Sequence, residues 1–268
     1  MAWIRDLGDT RELVVASDSR LSGGQFWDAN PKIMMLPRSD CVISFAGSTS
    51  DAYPLMLQAY NAILNFEKLR TRATDLGHLR GYLVRVFNHS REFISHFPVG
   101  QSQPDPPEAV FMLAGYSWRS KVFRIWTLHY DASIRRFTFR PAKPWQGQAG
   151  EQSKMIAFVG DDEPVQQAKS LLLERLRATG RLQQGGLNME PFDVLRDIIR
   201  STRFPSVGGA PQIVKIYEHM NATPLGVHWP SKASGQVSLL GRPLMRYERV
   251  SSGVLDPDDS TSPAVRAA

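Results

Sequence analysis

The chain has 268 residues, 42% hydrophobic and 22% charged, with a formal net charge of +6 and a single cysteine. That is enough chain to bury one sizeable core, so one domain is expected over residues 1–250, with a disordered polar tail at 251–268. One cysteine excludes an internal disulfide and a thiolate zinc cluster, and no apolar run approaches the ~18 residues of a membrane span.

The first elements are short and β-rich. "AWIRD" (2–6) and "LVVAS" (13–17) flank "LGDTRE", whose Gly8 and Asp9 suit a turn, and together they predict a hairpin. A glycine-bearing loop, "DSRLSGGQFWDANP", leads to a second predicted hairpin, "KIMML" (32–36) with "CVISFAG" (41–47), joined through Pro37 and Asp40. Cys41 reads as a small buried apolar residue.

After Gly47 the hydrophobic period changes. Tyr53, Met56, Tyr60, Ile63, Leu64 and Phe66 recur at helical spacing behind "STSD", and Asp51 suits a cap. A second helix is predicted from about Asp75 to His96, with Leu79, Leu83, Val86, Phe87, Ile94 and Phe97 on one stripe. The loop "PVGQSQPDPP" ends it.

Strands resume at 109–117, 121–130 and 135–141, and "KMIAFVG" (154–160) follows a loose connection, "AKPWQGQAGEQ". Two further helices are predicted at 163–179 and 190–202. "QIVKIYE" (212–218), "PLGVHW" and "MRYERV" read as closing strands. Basic residues fall mostly between the apolar positions of the helices, the pattern of a solvated face, so no nucleic-acid partner is expected despite the positive charge.

Strands in blocks and helices in pairs do not make alternating βαβ units. The expected class is α+β, a four-layer αββα sandwich in which helix pairs cover two stacked antiparallel sheets. No P-loop, G-x-G-x-x-G or H-E-x-x-H spacing occurs, so no cofactor and no metal are expected. With no signal peptide or membrane segment indicated, a cytoplasmic protein is expected.

"VVASDSR", then Lys32, then "FAGSTSDAYPLMLQAY" resembles the N-terminal half of proteasome β-type subunits and of the bacterial ATP-dependent ring peptidase. "FPSVGGAPQIVKIY" is similar to the "SVG" segment of the bacterial Anbu-type proteasome homologues. The resemblance covers roughly residues 2–220 and implies an N-terminal nucleophile (Ntn) hydrolase of proteasome-subunit fold. In such an enzyme an N-terminal threonine attacks a peptide carbonyl while its own α-amine takes the hydroxyl proton. By resemblance, Asp18 matches the family's acid, Lys32 its lysine, Gly47 the oxyanion-hole residue and Ser206 the supporting serine. Phe204 and Val207 stand where a proteasome has Asp and Ser. The resemblance also implies peptide or unfolded-protein substrates, a homo-oligomeric ring or open helical assembly, and an unfoldase partner.

Taken singly, an Asp at a strand end is more often a turn former or surface acid and a lysine such as Lys32 more often an ordinary edge residue, while Gly47 is expected between strand and helix whatever the function. The chain also departs from the family at its front, where "MAWIRD" holds no threonine in register. Sixteen positions before Asp18 is Ala2, and the long first turn moves the nucleophile's position upstream of Met1. Three readings stay open: a threonine-type peptidase whose nucleophile lies ahead of Met1, a catalytically inactive ring subunit or binding protein, and a non-peptidase amidohydrolase of the same fold.

Overall fold

The computed structural model describes residues 1–145, 154–183 and 186–262, and the backbone of 265–266. Much of the loose connection predicted around 142–152 lies outside the described residues. In chain order the elements are β1 Ala2–Asp6, β2 Arg11–Ser17, β3 Leu21–Gly23, β4 Gln25–Trp27, β5 Ile33–Met35, β6 Cys41–Gly47, α1 Thr49–Leu64, α2 Glu67–Arg70 and α3 Leu76–Arg91. Then follow β7 Ala109–Ser117, β8 Val122–Asp131, β9 Arg136–Pro141, β10 Ile156–Ala157, α4 Asp162–Ala178, α5 Glu190–Ser201, β11 Gln212–Tyr217 and β12 Ala222–His228. The closing strands are β13 Val237–Leu239, β14 Arg242–Pro243, β15 Gly253–Leu255 and β16 Val265–Arg266.

The protein is of mixed α+β type, with antiparallel sheets and five α-helices among the described residues. One sheet has the order β10-β1-β2-β11-β12-β13-β14, and a second runs β5-β6-β7-β8-β9. Among the described residues the named strands of these sheets pair antiparallel, apart from β15, which joins β12 in parallel.

Side-chain alternation explains how β2 is apolar without a break from Leu13 to Ala16. Val14 and Ala16 pack with α4 and α5 through Leu172, Leu176, Phe192 and Ile198. Leu13 and Val15 point the other way, into a cluster with Val214, Ile216, Val42, Met112 and Ala114. A strand buried on both faces reads as a continuous hydrophobic run, because successive side chains leave opposite faces. β6 behaves alike: Ile43 and Phe45 meet α1 and α3 through Met56, Ile63, Leu83 and Phe87, while Val42 joins the cluster of Leu13 and Val15.

The helices differ from the predicted stripes at their ends. α1 buries Ala52, Leu55, Met56, Ala59 and Ile63, leaving Leu64 and Phe66 exposed. α3 ends at Arg91, short of the predicted His96, and Ile94 is exposed. A side chain off the helical track contributes nothing to the buried face, so hydrophobic spacing alone overran the end.

Three further corrections concern the loops and the C-terminal region. The glycine-bearing loop after Asp18 is a small hairpin, β3–β4, turning at Gly24 with φ +92°. "MRYERV" is not a strand; β13, β14 and β15 carry the closing pairing. Within the segment expected as a polar tail, β15 adds to β12 and buries Val254 and Leu255. Arg200 pairs with Asp258 at 2.6 Å, and Ser260 donates to Asp193 at 2.8 Å. Among the described residues no helix is long and apolar enough to cross a membrane.

Candidate active site

β2 delivers Asp18 to a defined place. Its ladder with β11 ends at Ser17 opposite Gln212, and one residue later the backbone leaves the sheet. Asp18 then lines a cavity of about 520 Å³, shared with Met1, Arg20, Lys32, Gly47, Thr49 and Ser206 among others. Its carboxylate is held from three directions. Oδ1 accepts from Lys32 Nζ at 2.8 Å, and Oδ2 accepts from the Arg20 and Gly208 amides, each at 3.1 Å. A carboxylate with three converging donors has little rotational freedom, so the Lys32 ammonium is fixed in turn.

Lys32 stands immediately before β5. Its carbonyl accepts from Phe45 N at 3.3 Å, which ties the start of the β5–β6 hairpin close to the end of β6. The pair is partly buried, with the Lys32 and Asp18 side chains 14% and 11% exposed.

Gly47 ends β6 with φ +98°, and a Cβ there would collide with the Glu108 carbonyl oxygen. Only glycine allows both this backbone conformation and this approach. The same carbonyl accepts from Ser48 N at 2.7 Å, and the Glu108 amide donates to Asp51 Oδ2 at 3.1 Å. Asp51 therefore ties the start of β7 to the first turn of α1, and Ser48 occupies the N-cap position.

Ser206 lines the cavity, but the hydrogen bond that this segment gives Asp18 comes from the Gly208 amide. Arg20, which the sequence reading passed over, braces that segment. It forms a two-pronged pair with Asp28 at 2.6 and 2.9 Å, donates to Pro205 O at 3.3 Å, and lies 4.5 Å from the Phe26 ring centroid. Hydrogen bonding to Asp28 raises the Arg20 pKa and depresses that of Asp28. A side chain on Gly208 would overlap the Arg20 guanidinium. The signal available in sequence was the arginine two places after Asp18 and the paired glycines 208 and 209. Neither identifies its partner until the chain is folded.

Met1 reaches the cavity from β1. It exchanges two backbone hydrogen bonds with Ala16, Met1 N to Ala16 O at 2.8 Å and Ala16 N to Met1 O at 2.9 Å. The α-amino group sits in an environment that disfavours its charge, and its pKa falls from 8.0 to about 5. Burial is the main cause; Asp18 opposes it, and the Lys32 ammonium pushes the same way as burial.

The ladder also sets what lies next along β1. Ala2 faces Val15 and Met1 faces Ala16, which puts the start of β1 two residues from Asp18 along β2. On the other flank of the cavity, Leu21, Ser22 and Gly23 of β3 form the wall, and Phe26 and Trp27 of β4 stand exposed.

Among the described residues no group of three His, Cys, Asp or Glu side chains lies close enough to hold a metal ion. No family model matches the chain, and no curated protein is detectably similar to it in sequence.

Proposed function

We propose that this chain is a subunit of a proteasome-like amide hydrolase of the N-terminal nucleophile type, a four-layer αββα sandwich acting on peptides or unfolded protein. The observation that carries the reading is the convergence of the Asp18–Lys32 ion pair, the Gly47 turn and the path of β1 on one cavity. The layered architecture draws support from the three apolar clusters: α1 and α3 against β6–β9, the two sheets against each other, and α4 and α5 against β1, β2, β11 and β12.

In this reading a threonine carried ahead of Met1 supplies the nucleophile. Its hydroxyl oxygen bonds to the substrate carbonyl carbon while its proton passes to the threonine's own α-amine. The Lys32 ammonium, held by Asp18, stabilises the developing alkoxide and disfavours a second positive charge on the amine. The Gly47 amide is the donor for the carbonyl oxygen as it gains negative charge. Collapse breaks the C–N bond, the ammonium returns its proton to the departing amine, and water hydrolyses the resulting ester. Exposed Leu57 and Leu64 on α1 are available for association into a ring or an open helical assembly, and the protein would work in the cytoplasm, with or without an unfoldase.

The test compares the chain beginning at Met1 with a form extended by a threonine in register with Asp18. Fluorogenic peptides, and mass spectrometry after treatment with an electrophile that captures N-terminal threonine, should report turnover and a single adduct only in the extended form. Lys32→Ala in that form should abolish both. An extended, normally assembled protein that is silent and unlabelled replaces the peptidase reading with that of an inactive ring subunit or binding protein.

A further inference from the structure

The catalytic pair is carried by two backbone segments that the chain itself separates by the β3–β4 hairpin. Asp18 leaves β2 before the hairpin, and Lys32 enters β5 after it. Nothing in the local covalent geometry sets the distance between them, because the excursion between is largely exposed. The register must come from elsewhere.

One side chain spans the gap. Gln212, the first residue of β11, is fully buried. Its Nε2 donates to the Asp18 carbonyl at 3.0 Å and to the Asn30 carbonyl at 2.7 Å, and its Oε1 accepts from the Lys32 amide at 3.0 Å and the Ile33 amide at 3.3 Å. All four bonding directions of the carboxamide are used, two as donor and two as acceptor, and every partner is backbone. The amide thus clips the end of β2 to the start of β5 at the two residues that carry the charges.

The base of the clip is closed by two glycine turns. A Cβ on Gly209 (φ +70°) would overlap the Asp28 carbonyl and lie 2.7 Å from Ser19 Oγ. A Cβ on Gly241 (φ +86°), in the turn between β13 and β14, would overlap Ser19 Cβ and lie 3.1 Å from the Asn30 carbonyl. Ser19 is held between them: its amide donates to Gly208 O at 3.0 Å, its hydroxyl bonds to Ala210 O, and its carbonyl accepts from Asn30 N at 3.1 Å. The C-terminal turn therefore packs on the base of the hairpin whose other end flanks the cavity.

We infer that Gln212 is a positioning residue for the Asp18–Lys32 pair, and that the Gly241 turn of the C-terminal segment is part of the same support. Gln212 acts through backbone, touching neither substrate nor nucleophile. The inference rests on the hydrolase reading for its consequence in rate, while the positioning itself is independent of it. Four hydrogen bonds into two strand ends determine where Nζ meets the carboxylate, and misplacement of about 1 Å in such a pair costs on the order of 100-fold in rate.

Two variants separate the roles. Gln212→Met keeps the volume and removes all four bonds, and Gln212→Glu keeps the two acceptor contacts while setting a carboxylate oxygen against two carbonyls. In the wild-type chain, 15N-lysine labelling should show a Lys32 Nζ–H3 signal, assigned by its loss in Lys32→Met, because a hydrogen-bonded, partly buried ammonium exchanges slowly. Both Gln212 variants should lose or broaden that signal while far-UV circular dichroism stays native. Gly241→Ala should weaken it. In the threonine-extended form, the Gln212 variants should lower kcat by about 10- to 100-fold with KM within about twofold. An unchanged Lys32 signal in a folded Gln212→Met protein overturns the positioning role. An inactive threonine-extended wild type leaves the Lys32 signal as the readout, so failure of the hydrolase reading is distinguishable from failure of the clip.

Discussion

Lys32 Nζ lies 2.8 Å from Asp18 Oδ1, and the two residues flank different sheets: Asp18 follows β2 of the sheet that contains β1 and β11, while Lys32 immediately precedes β5 of the other. The ion pair thus sits where the ends of two sheets meet. Removing one partner strands the other charge. Asp18→Ala should destabilise by about 2 to 4 kcal/mol, and Lys32→Met by less, because Asp18 keeps its Arg20 and Gly208 amide donors. Urea unfolding of the two single variants and the double variant checks this. The double variant should be more stable than Asp18→Ala alone.

Gly47 and Gly8 both have positive φ, yet they should respond differently to alanine. At Gly47 the new Cβ meets the Glu108 carbonyl, whereas at Gly8 it meets open space. Gly47→Ala should cost about 2 to 4 kcal/mol, strain and collision together, against about 1 kcal/mol for Gly8→Ala, which carries the backbone strain alone. Equal melting temperatures for the two variants would contradict the role of the Glu108 contact.

Asp75 supplies a pH dependence with a definite sign. Burial works against its charge, but donors from Gly77 N, Ser117 Oγ and Arg119 N outweigh burial and hold its carboxyl below the usual range. A depressed folded pKa contributes stability that is complete above the unfolded value of about 3.9 and is lost as pH falls through the folded value. Ser117→Ala should cost about 1 to 2 kcal/mol near neutral pH. The difference from wild type should shrink as pH falls below the unfolded value and Asp75 becomes protonated in both folded states. Denaturant titrations across that range provide the measurement, and a pH-independent difference would refute the assignment.

The C-terminal segment should behave as part of the fold. Leu255 is 2% exposed beside β12 and packs in the cluster of α4 and α5. Leu255→Ser should therefore cost about 2 to 4 kcal/mol. Asp258→Ala removes only a partly exposed pair with Arg200 and should cost no more than about 1 kcal/mol. Limited proteolysis, with cleavage sites identified by mass spectrometry, should leave residues 251–262 intact in the native protein.

The elements were legible where burial is periodic. β1, β2, β6, β7 and α4 sit within a residue or two of their predicted places, because two-sided burial of a strand and one-sided burial of a helix leave different spacings of apolar residues. β3–β4 was not legible: Phe26 and Trp27 are exposed, and a hairpin without a buried face leaves no hydrophobic period. β15 escaped for the opposite reason. Three residues of a polar tail carry only two apolar side chains, too few to signal a strand before β12 is in place beside them.

The candidate site divides in the same way. Asp18, Lys32, Gly47 and Ser206 stand out in the sequence through the family resemblance of the segments that carry them, and the fold places all four around one cavity. What local pattern does not contain is which groups hold them. Gln212 lies 180 positions from the Lys32 amide it binds, Gly208 lies 190 from the Asp18 carboxylate, and Gly241 meets Ser19 across most of the chain. Such contacts are made by backbone amides and a carboxamide, whose bonding capacity is the same wherever they occur in a sequence. Only the pairing of β2 with β11, which brings the chain's beginning beside its last third, decided that those groups face Asp18 and Lys32.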